Sequence, residues 1–66
     1  MTTQDQEKGV INTSFEKVID GIYVNFIVLY TGSMNDHERD TASATFKSQI
    51  LNARRIRDLA ISLLPA

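Results

Sequence analysis

No cysteine occurs in the chain, which excludes disulfides and thiolate metal sites. His37 is the one histidine, so a zinc site built from several imidazoles on one chain is excluded too. Charge of one sign is also missing. Seven basic residues stand against eight acidic ones, for a net charge of −1. That balance gives no global attraction to nucleic acid or to an anionic membrane. The longest uninterrupted apolar run, Phe26-Ile27-Val28-Leu29-Tyr30, is far short of the roughly 20 residues of a membrane span. The stretch Met1-Thr2-Thr3-Gln4-Asp5-Gln6-Glu7 is polar and acidic, without the basic and apolar regions of a secretory signal. A cytoplasmic protein is therefore expected. Five serines are present, Ser14, Ser33, Ser43, Ser48 and Ser62, but no G-x-S-x-G occurs, and neither a P-loop nor a dinucleotide fingerprint. The sequence predicts no enzyme, no cofactor and no metal.

What is present is a short chain rich in apolar side chains: 66 residues, 42% of them hydrophobic. A domain of this size buries a small fraction of its surface and usually needs a disulfide, a metal or a partner chain. With the first two excluded, association is expected. Residues 1–9 read as a polar, disordered tail and residues 10–66 as a single small domain.

The two halves of that domain differ. From Val10 to Thr31 β-branched and aromatic residues dominate, with no alanine and Leu29 as the one leucine. From Asp36 to Leu64 the chain is rich in Ala, Leu, Arg, Gln and Lys. The second palette suits a helix, the first a pleated surface. On a wheel of about 100° per residue, Ala42, Phe46, Ile50, Ala53, Ile56, Ala60, Leu63 and Leu64 share one arc. An amphipathic helix is thus predicted over 35–64. Asn35 or Ser33 is placed to cap it, Asn35 with Glu38 resembles a capping box, and Pro65 stops it.

For residues 10–31 two readings compete. Asp20-Gly21 is a hairpin signal, since a type I′ turn needs positive φ at both central residues. A hairpin centred there pairs Ile19 with Ile22, Phe15 with Phe26 and Ile11 with Tyr30. The rival is a helix using Phe15, Val18, Ile19, Ile22, Tyr23, Phe26, Leu29 and Tyr30, with Thr13 and Glu16 as capping box and Gly32 as C-cap. Summed propensity, and a glycine mid-helix at roughly 1 kcal/mol, favour the hairpin. The expected fold class is therefore α+β: a β-hairpin followed by one long C-terminal helix, as a dimer. The alternative is an all-α helical hairpin forming a dimeric four-helix bundle.

In the α+β reading, Tyr23, Ile27 and Leu29 on the second strand and Leu51 and Leu59 on the back of the helix stay in water. They are the predicted self-association residues. The expected function is a non-enzymatic oligomeric interaction module (an adaptor, inhibitor or regulator), with a homodimer or a protein partner on these residues. The alternative is a dimeric DNA- or RNA-binding regulator whose anion contacts are Lys47, Arg54, Arg55 and Arg57. Arg54 with Asp58 has the spacing of a local ion pair. Arg57 falls inside the apolar arc, where it is expected to snorkel, stack on Tyr23 or Tyr30, or meet a carboxylate across an interface. The run Asp36-His37-Glu38-Arg39-Asp40 gathers acid, base and imidazole, yet reads better as a solvated first turn that complements the helix dipole.

Overall fold

The computed structural model describes residues 3–65 as two long helices, α1 (Gln4–Thr31) and α2 (Asp36–Ser62), folded back on each other. The expected α+β fold is overturned: residues 10–31 lie within α1, and no strand occurs among the described residues. The helical hairpin held as the alternative is the architecture found. α1 also takes in residues 4–9 of the stretch read as a tail. It starts at Thr3, whose hydroxyl accepts from the Gln6 amide at 3.2 Å while the Gln6 side chain accepts from the Thr3 amide at 2.8 Å. That reciprocal pair satisfies two of the donors a helix start leaves orphaned. Thr13, the cap of the rival reading, sits inside α1 and donates its hydroxyl to the Gly9 carbonyl at 2.9 Å.

The reason α1 is helical is its partner. Ile11, Phe15, Ile19, Ile22 and Phe26 recur at intervals of three or four residues and are half-buried. They meet a matching row on α2: Phe46, Ile50, Ala53, Arg57 and Ala60, also half-buried. This is the spacing of a coiled-coil seam. Two contacts set the register. The Phe26 and Phe46 rings lie 4.8 Å apart, with Tyr30 5.4 Å from Phe26. Further along, the Arg57 guanidinium sits 4.5 Å from the centre of the Phe15 ring.

The turn spans residues 32–35. Gly32 ends α1 in a right-handed conformation (φ −79°), so it is no left-handed cap. Its lack of a side chain matters because a Cβ there would stand 3.2 Å from the Val28 carbonyl oxygen. The Asn35 side chain accepts from the Glu38 amide at 2.9 Å, while the Glu38 carboxylate accepts from the Met34 amide at 2.6 Å. The anticipated box is thus displaced by one residue on its return arm.

Gly21, central to the expected turn, has negative φ and open space around it. The same is true of Gly9, an exposed interior position of α1. Gly9→Ala is therefore expected to stabilise the fold by about 0.5–1 kcal/mol. Thermal unfolding followed at 222 nm and fixed chain concentration should show a midpoint a few degrees higher; an unchanged or lowered midpoint would contradict a helix through residue 9.

Candidate interaction surfaces

The hairpin hides little of its own apolar surface. Among the described residues only Ala42 is fully shielded. Val18, Tyr23, Ile27, Ile56 and Leu63 are 52%, 55%, 44%, 57% and 72% exposed. Along α1 from Ile22 to Tyr30, Asn25 is the one polar residue. A helix apolar on all sides is ordinarily an enclosed one.

These residues fall on two flanks of the hairpin. On one, Val10, Ser14 and Val18 of α1 and Ile56 and Ala60 of α2 border a groove of about 300 Å³, with Phe15, Ala53 and Arg57 in its lining. The same side continues toward the turn, where Val28, Leu29 and Gly32 face Thr41 and Thr45 across a second hollow of about 350 Å³. Projecting both helices at about 100° per residue places Glu7 and Glu38, near opposite ends, as this flank's charged residues. Between Val10 and Gly32 on α1, and between Thr41 and Leu63 on α2, the charged group in its lining is Arg57, on the floor of the groove. The opposite flank carries Tyr23, Ile27 and Tyr30 together with Glu16, Asp20, Asp40, Lys47, Arg54 and Asp58.

All five predicted self-association residues are exposed, but they are not brought together. Leu29 and Leu59 belong with the charge-poor side, Tyr23 and Ile27 with the charged one, and Leu51 with the outer surface of α2. Sequence reasoning missed Val10 and Val18, and assigned Ile56 and Leu63 to the core. The signal available was the charge pattern: one side of each wheel is nearly empty of it.

The predicted anion patch is divided. Lys47 and Arg55 border a shallow outer depression with Ser48, Gln49, Leu51 and Asn52. Arg54 projects toward the charged flank, and Arg57 turns inward. Arg57 stacks on Phe15, not on Tyr23 or Tyr30, and its Nε donates to the Asp58 carboxylate at 3.0 Å. Asp58 is thus engaged by Arg57 where Arg54 was anticipated. In the first turn of α2, Arg39 pairs with Asp36, and no group of three metal-ligating side chains forms among the described residues. Hydroxyls of Ser33, Ser43 and Ser62 donate to the carbonyls of Leu29, Arg39 and Leu59. No helix among the described residues is long and apolar enough to cross a membrane.

Comparison with known proteins finds no matching family model, no matching curated protein and no matching solved structure.

Proposed function

We propose that this chain is a non-enzymatic interaction module, an adaptor, inhibitor or regulator that works in an assembled state; cytoplasmic residence is part of the same proposal. One observation carries it: a two-helix fold in which Ala42 alone is shielded among the described residues, with aliphatic and aromatic side chains in water along both flanks. Contiguous apolar surface of this kind marks a contact site, and pairing two helical hairpins into four helices is the common way to enclose it.

Sedimentation from micromolar to millimolar concentration, with a hydrophobic dye titrated alongside, tests the proposal. A mass above that of one chain is expected. A monomer throughout that binds no dye would remove the basis of the reading.

A further inference from the structure

We propose that the charge-poor flank, centred on Val18 and Ile56, is where a second copy of this chain docks, closing an antiparallel four-helix bundle. This rests on the interaction-module reading and names its first partner.

Area is the first argument. A folded monomer of 7.4 kDa ordinarily exposes about 4,200 Å². This chain exposes 5180 Å², a surplus of about 1,000 Å² on that scaling. A standard protein interface removes about 800 Å² from each partner. One such interface therefore absorbs most of the surplus. The shape agrees: the radius of gyration is 15.6 Å, against about 11 Å for a compact chain of this length.

Charge selects the face. The flank bearing Tyr23, Ile27 and Tyr30 also holds Glu16, Asp20, Asp40, Lys47, Arg54 and Asp58, and stacking it would desolvate several of these at once. The Val18 and Ile56 side imposes no such cost along most of its length. Arg57 lines its floor, but that guanidinium is already met by Asp58 and by the Phe15 ring. Small side chains, Ser14, Gly21, Ala53 and Ala60, let a facing helix approach closely. A surface that is mostly apolar, spread over both helices, and whose lining guanidinium is already engaged within the chain offers a foreign partner little charge to recognise. It does offer a two-fold copy of itself a matching apolar surface.

Sedimentation equilibrium on two paired variants decides the matter. V18E with I56E buries unpaired carboxylates if this flank is the interface and should weaken association about 100-fold or more. Y23E with I27E should leave it within about threefold, as expected for changes outside an interface. Dimers that survive V18E/I56E but fail in Y23E/I27E overturn this assignment while leaving the module reading intact. A wild-type chain that stays monomeric overturns this assignment, and one that also binds no hydrophobic dye overturns the module reading with it. Should V18E/I56E fail to fold, isotope-filtered NOE spectra on mixed labelled and unlabelled wild-type chains replace it. Intermolecular contacts from the Val18 and Ile56 methyls support the proposal, and contacts confined to Tyr23, Ile27 and Tyr30 refute it.

Discussion

Phe26→Ala is expected to destabilise the fold by about 3 kcal/mol, the lower end of the range for truncating a large buried aromatic. Phe26 is half-buried, but its ring joins the hairpin: it lies 4.8 Å from Phe46 on the other helix and 5.4 Å from Tyr30 on its own. Alanine there forfeits both ring contacts and leaves a gap between the two helices. Small domains have only a few kcal/mol to lose, so most of the cooperative transition should disappear. Urea titration followed at 222 nm checks this. Met34→Ala, at an 85% exposed position in the turn, should shift stability by less than about 0.5 kcal/mol. Equal losses from the two variants would mean that the aromatic contact does not organise the hairpin.

Gly21→Pro is expected to cost about 3 kcal/mol or more. In the interior of α1 the ring removes the hydrogen bond that the residue 21 amide donates to the Lys17 carbonyl and collides with that oxygen. The helix would be cut into two pieces, each near or below the length at which helices persist without support. Far-UV circular dichroism should lose most of its 222 nm signal at micromolar concentration. Retention of that signal would show that α1 is not continuous through residue 21.

Gly21 also marks where the sequence misleads. Asp20-Gly21 has the composition of a tight turn, and the β-branched residues around it prefer a pleated surface. Propensities differ by at most about 0.7 kcal/mol among ordinary residues. Burying successive rungs against α2 outweighs that, because most helical stability comes from packing an apolar face. The 3.6-residue period in Phe15, Ile19, Ile22 and Phe26 was the truer signal. Those residues formed the helical alternative and now line the seam.

α2 was more legible because propensity and period agree there. Ala42, Phe46, Ile50, Ala53 and Ala60 pack as the wheel places them, whereas Ile56 and Leu63 stand at the edge of the arc and end up in water. The surfaces were harder to read. Tyr23, Ile27 and Leu29 follow from the alternation of a strand that does not form, Leu51 and Leu59 from the back of a single helix wheel, and a wheel of one helix does not say which of its flanks lies beside which flank of its neighbour. The antiparallel register supplied by Phe26 with Phe46 does. Arg57 was recognised as out of place on its apolar arc, but its stacking partner, Phe15, belongs to the other helix and required that register.

The near-equal lengths of the two helices, 28 and 27 residues, leave Thr3 and Pro65 at one pole of a rod 52 Å long. Any fused sequence, at either end, emerges from that pole and leaves the turn at the opposite tip unobstructed. A tandem of two copies in one polypeptide would close through a short joint if both point the same way. Top-to-tail, it would need a tether reaching almost the whole length of the rod, so the shortest tether that still permits intramolecular pairing would measure how the copies are oriented.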